Sequence, residues 1–231
     1  MSTVPTVQRS QRAAKTAAAP SVYPLWLDLG ILIAMLAIAG WSLFSLMQTG
    51  TLSASLAADT QLSWHISRAT GLIAYALLAA STIWGVLLTT RVIKDWSPGT
   101  MSMLLHASTS WLAVVLMFVH VGMLLFDKYY AYTLSDLLIP FTGPYRPLAV
   151  GFGTLAAWLT LAITISFSVR RVIGQRVWRW LHYTSYASFA LVTLHSLMAG
   201  TDTSKAGMWI VMSGLSVAVA GLLIYRVKQR A

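Results

Sequence analysis

No cysteine occurs in the 231 residues. That absence removes disulfides, thiolate metal sites, iron–sulfur clusters and covalently attached c-type haem. Acids are almost as scarce, six against 16 Lys and Arg, and none falls inside an apolar run. Asp28, at the edge of the first run, comes nearest, so a relay of buried carboxylates lacks its residues. Charge as a whole is thin, at 10% against 57% hydrophobic residues, where ordinary globular domains are roughly a quarter charged. A soluble globular fold is therefore excluded, and the chain reads as an integral membrane protein.

A spanning helix needs about 20 mostly apolar residues. Six segments qualify, at 25–47, 64–90, 101–126, 147–169, 177–200 and 207–226. The expected fold is an all-α bundle of six transmembrane helices over residues 23–231. It follows a basic, disordered tail at 1–22 that is rich in Ala, Ser, Thr and Pro. Little length remains for a soluble catalytic domain.

The net charge of +10 is explained by its distribution. Arg9, Arg12, Lys15, Arg91, Lys94, Arg170, Arg171, Arg176, Arg179, Arg226, Lys228 and Arg230 all fall on one side of the six spans. The other side has only Lys128, Arg146 and Lys205, with Arg68 just inside the second span. By the positive-inside rule both termini are cytoplasmic. The basic charge is topology and predicts no nucleic-acid partner.

Against this background, four of the five histidines form two pairs inside apolar runs, His106/His120 and His182/His195. Intramembrane imidazoles are costly and mark functional sites. In the expected topology the third and fifth spans both run outward, so His106 and His182 share an inner level. His120 and His195 share an outer one, about 20 Å away at 1.5 Å rise per residue. Two histidines per level, without cysteine, are too few for zinc, which takes three or four protein ligands. They suit the two axial positions of haem iron. On an ideal helix the 14-residue step from His106 to His120 falls about 40° short of four turns, so those two share a face. The 13-residue step from His182 to His195 falls about 140° short, so the fifth span must tilt, rotate or distort for both to face inward.

Other features are bland. His65 beside Trp64 has no partner at its spacing and reads as an interfacial residue. Gly151-Phe-Gly-Thr-Leu-Ala156 imitates a dinucleotide fingerprint, but without the strand that motif requires, and small residues there let helices approach closely. Residues 127–146 mix tyrosines, leucines and prolines and are expected to cover whatever lies beneath them on the outer side. No internal repeat of fixed period is evident.

Three local patterns resemble the ferric-reductase-like transmembrane domain family, which includes the membrane portions of ferric reductases and NADPH oxidases. They are Ser67-Arg-Ala-Thr-Gly71, Leu105-His…Trp111…His120, and Ile173-Gly-Gln-Arg-Val-Trp-Arg-Trp-Leu-His182…His195. The resemblance covers about residues 60–200 and includes the 14-and-13 histidine spacing. It implies a multi-pass protein of a bacterial inner membrane that holds two non-covalent haem b groups. Their iron ligands would be His106 with His182 and His120 with His195. It further implies that Arg68 lies near the outer haem and that Trp111 lies between the levels. Leu124 replaces the extra histidine of the oxidases, which argues against deliberate superoxide production. With no flavin or nicotinamide domain in the chain, electrons would come from a cytoplasmic flavoprotein reductase or from quinol. The chain would then be one component of an oxidoreductase, with no side chain acting as nucleophile or general base. The competing expectations are a haem-binding anchor subunit that recruits a soluble flavin oxidoreductase, and a proton or solute carrier.

Overall fold

A computed structural model describes residues 61–90, 99–201 and 206–229, with Trp41, Ser45 and Val92. The tail at 1–22, most of the first expected span, the loop at 48–60, Arg91, Lys94, Lys205 and the last two residues lie outside the described residues. The chain divides into units Met1–Leu43 and Phe44–Ala231, and the fold described below belongs to the second.

Its described residues form α-helices and one 3₁₀ turn, with no strand. The helices are α1 (Leu62–Thr90), α2 (Gly99–Met123), α3 (Leu134–Leu138) and α4 (Pro147–Ser168). They continue with α5 (Arg170–Ile173), α6 (Gln175–Tyr183), α7 (Ser185–Ala199) and α8 (Ala206–Lys228). Four segments are long and apolar enough to cross a bilayer: Leu62–Thr90, Met101–Phe126, Pro147–Ser168 and Ala206–Lys228. Such spans must be helical, because lipid offers the backbone no hydrogen-bond partners.

α1 packs most extensively on α2, and α4 on α7, while α8 lies against α1. At the centre Tyr75 stacks on Phe189, with ring centroids 5.7 Å apart. Ala79, Met212 and Val219 complete this buried cluster. The Tyr75 hydroxyl meets Thr193 Oγ1 at 3.3 Å and Ser216 Oγ at 3.2 Å, which satisfies its polar end inside the bundle.

The segment expected as one span over 177–200 is two helices. α6 ends and α7 begins at Thr184. There the Thr184 N–H donates to Leu181 O three residues back, at 3.1 Å, and its Oγ1 donates to the same carbonyl at 2.6 Å. A turn closed over three residues winds more tightly than an α-turn. The extra rotation has the sign that the short 13-residue step requires. Ahead of it, Gly174 takes φ 82°, a conformation that glycine adopts without strain, and so lets α5 turn into α6.

Candidate functional site

The packing brings the four paired histidines together by level. The His106 and His182 ring centroids are 6.0 Å apart with planes at 78°. Those of His120 and His195 are 6.2 Å apart with planes at 72°. A metal ion held between two imidazoles has nitrogen bonds of about 2 Å, and each ring centre lies about 1 Å behind its nitrogen, giving centroids about 6 Å apart. Both pairs match that separation.

Backbone carbonyls fix which nitrogen faces the gap. Nδ1 of His120 donates to Ser67 O at 2.7 Å, Nδ1 of His106 to Ser81 O at 3.0 Å, and Nδ1 of His195 to Ala149 O at 2.9 Å. An imidazole whose Nδ1 carries the proton presents the Nε2 lone pair, the tautomer a metal ligand needs. In return, the Ser67 hydroxyl donates to His120 O at 2.9 Å, bracing the backbone of the same residue. His182 has no carbonyl on Nδ1 among the described residues. Instead the Trp178 indole stacks on it at 5.2 Å and 24°.

Glycines provide the room for three of these rings. A Cβ at Gly71 would lie 2.8 Å from His120 Nδ1, one at Gly153 2.7 Å from His195 Nδ1, and one at Gly85 3.2 Å from His106 Cε1. Each glycine is four residues after the carbonyl that accepts from the same ring, so one helical turn supplies both the acceptor and the space. α1 therefore carries this device twice, as Ser67-Arg-Ala-Thr-Gly71 and Ser81-Thr-Ile-Trp-Gly85, 14 residues apart. That spacing equals the step from His106 to His120 on α2. Fourteen residues are two heptads, the period that keeps paired helices in register along their seam. α1 thus has a short repeat, contrary to the expectation of none. The repeat was visible in the sequence as two Ser-x-x-x-Gly stretches matching the histidine spacing.

The glycine lookalike in α4 is used up by packing. Gly151 gives way to the Phe141 ring and Gly153 to His195, while Ala156 O accepts from Ser188 Oγ at 3.0 Å.

Beside the His120/His195 pair lies a cavity of about 370 Å³ lined in part by His120, His195, Arg68, Trp64, Leu124 and Tyr130. Arg68 is half-buried there, with its guanidinium 4.4 Å over the Trp64 ring. His65 is exposed and meets Trp64 edge-on. Trp111 is half-buried on α2, about 140° around the helix from His106. It does not line the cavity, and no ring contact joins it to either histidine pair among the described residues.

Residues 127–146 also contribute Tyr132, Leu137, Leu138 and Tyr145 to this cavity. The segment is tied down throughout. Asp127 Oδ1 accepts from the Tyr129 and Tyr130 N–H groups at 2.8 and 3.0 Å. Thr133 and Asp136 cap α3 reciprocally, and those hydrogen bonds hold the Asp136 carboxyl below its ordinary pKa. Trp158 Nε1 donates to Leu138 O at 3.0 Å, and the Tyr145 hydroxyl to Ala199 O at 3.3 Å. Burial, with Asp127 nearby, pushes the Tyr132 hydroxyl up to about 12.

The donor set at each level is two imidazoles. No group of three or more His, Cys, Asp or Glu suited to a metal exists among the described residues. Two imidazoles at this separation fit an ion that takes only two ligands from the protein, and the residues present therefore fit haem iron. Comparison with protein-family models, curated proteins and solved structures found no match to this chain.

Proposed function

We propose that the chain is a di-haem b membrane cytochrome with six spans and cytoplasmic termini. Its role would be to pass electrons from a cytoplasmic donor to an acceptor at the outer face. One observation carries this reading: two imidazole pairs at ligation distance, three of the four rings turned by backbone carbonyls to present Nε2. The resemblance of the histidine motifs to ferric-reductase-like membrane domains supports it. His106 and His182 would hold the inner haem, and His120 and His195 the outer one. Bound there, haem b supplies one-electron carriage between the two faces of the membrane.

The chain's own residues orient and shield these positions. Ser67, Ser81 and Ala149 fix the tautomer and raise the basicity of three ligands. Gly71, Gly85 and Gly153 let those rings lie against neighbouring helices. Arg68 places a cation at the outer level. The 127–146 segment closes the outer cavity, and an acceptor approaches over its tyrosines. Arg171, Arg176 and Arg179 are exposed around α5 and α6 and offer an electropositive dock for an acidic flavoprotein reductase. Outward electron movement is favoured by about 2.3 kcal/mol per 100 mV of membrane potential.

The test is transmembrane electron transfer. The purified chain in sealed vesicles, with reductant enclosed and an impermeant ferric chelate outside, should reduce the external iron. The same vesicles carrying His120→Ala should not. External iron that stays ferric with a haem-loaded wild-type chain would contradict electron transfer and favour the anchor-subunit reading.

A further inference from the structure

Arg226, in the last turn of α8, is only 8% exposed. A guanidinium carries five N–H donors and a permanent charge, and burying a charge is costly unless it is paired. Its hydrogen bond goes to the Tyr186 hydroxyl. The Tyr183 and Tyr186 ring centroids lie 5.4 and 5.9 Å from it. No carboxylate reaches it among the described residues, whose two acids, Asp127 and Asp136, both belong to the segment between α2 and α4. The other charged side chains near this end of the fold are cations, Arg170, Arg171, Arg176, Arg179 and Lys228. A phenol and two ring faces supply no full negative charge to match the guanidinium.

An unpartnered donor lies against His182. The Trp178 Nε1 is buried and has no hydrogen-bond partner, although its ring stacks on that histidine. Tyr183, whose ring faces the Arg226 guanidinium, is the residue next to His182. A buried cation without a carboxylate partner among the described residues thus meets Tyr183, next to His182, and a buried donor without an acceptor stacks on His182 itself. Buried polar groups left unmatched in this way call for an explanation.

We infer that Arg226, assisted by the Trp178 indole N–H, is the counter-ion for a carboxylate of the group held between His106 and His182, namely a propionate of the inner haem. The inference rests on the di-haem reading. It adds a residue on the last helix that none of the histidine motifs contains. It also gives α8 a role in the site, since α8 supplies no ligand. Arg226 is a positioning residue and does not touch the reacting iron.

The experiment uses the full-length chain produced in haem-deficient cells and loaded with haem b or with its dimethyl ester, which keeps the macrocycle but lacks both negative charges. Wild type, Arg226→Gln and Arg226→Lys are compared for release of the inner haem and for its midpoint potential. Arg226→Gln should release inner haem b about tenfold faster, the scale of losing a partner beside a metal site. It should also shift the reduction equilibrium about tenfold toward ferric, about 59 mV for one electron. Arg226→Lys, which keeps the charge but not the fork, should fall between the two. The wild-type chain should lose the diester faster than haem b, whereas Arg226→Gln should hardly distinguish them. The Arg226 variants should leave the outer haem unaffected. Equal retention of haem b and diester by wild type overturns the inference without needing any variant. So does an Arg226→Gln chain whose inner haem keeps its release rate and potential. A chain that takes up neither haem overturns the di-haem reading instead.

Discussion

The outer and inner histidine pairs have nearly the same separation, 6.2 and 6.0 Å between ring centroids, but they are built differently. At the outer level both rings donate Nδ1–H to a helix carbonyl, and both lie against a glycine. At the inner level His106 repeats that arrangement, whereas His182 is held by Trp178 and sits just before the helix break at Thr184. The two carbonyl clamps of the His120/His195 pair strengthen both imidazoles as donors and would favour ferric iron in a haem held there. The single clamp of the His106/His182 pair, with Arg226 against the neighbouring Tyr183, would favour ferrous iron in a haem held there. Equal spacing therefore hides unequal chemistry, and the inner haem should have the more positive midpoint potential.

Removing a ligand breaks the comparison outright. His120→Ala or His195→Ala should abolish outer haem binding and leave an inner haem reducible from the cytoplasmic side. His106→Ala or His182→Ala should abolish reduction of both. Haem content and difference spectra of each purified variant decide this. Four variants that each retain two low-spin haems would refute the ligand assignment.

The glycines come next. Gly71→Ala and Gly153→Ala place a methyl within 3 Å of a ring nitrogen, and overpacking of this kind costs about 1–3 kcal/mol. The expected result is roughly tenfold to hundredfold weaker outer haem retention, since 1.4 kcal/mol is a factor of ten. Gly85→Ala, with 3.2 Å to the nearest ring atom, should weaken the inner haem less. Gly122→Ala and Gly214→Ala, where nothing lies within 4 Å, should change neither level. Haem release to an apo-acceptor protein measures all five.

Ser67→Ala tests a smaller contribution, because the carbonyl clamp on His120 is backbone and survives the change. Loss of the hydroxyl's bond to His120 O should cost about 1 kcal/mol, read as a several-fold faster release of the outer haem. The smallest effect concerns the covering segment. The folded-state pKa of Tyr132 is raised, so the contribution of its neutral form is fully present below about pH 10, its ordinary value. That contribution is lost as pH rises toward about 12. Hydrogen exchange in residues 127–146 should accelerate across that interval while α1 and α2 stay protected.

Much of this arrangement is legible in the chain, because membrane physics leaves few choices. Long apolar runs must be helices, and the boundaries of α1, α4 and α8 lie within about two residues of their apolar limits, as helix ends usually do. The pairing of the histidines by depth follows from the antiparallel order of the helices. Three things were not legible. The fifth apolar run hides its break, since Thr184 is neither proline nor glycine and interrupts the helix only by rebonding to Leu181 O. The carbonyl clamps leave no side-chain signature, so only their glycine companions mark them. Trp111 is half-buried on α2 between His106 and His120, with no ring contact to either pair among the described residues.

The central claim is that these four imidazoles hold two haems, and the haem-to-protein ratio of the purified full-length chain with its ferric and ferrous spectra tests it most directly. The account predicts two low-spin haem b groups per chain that titrate at two potentials. A colourless chain, or a high-spin haem that persists after all four histidines are replaced, would contradict it.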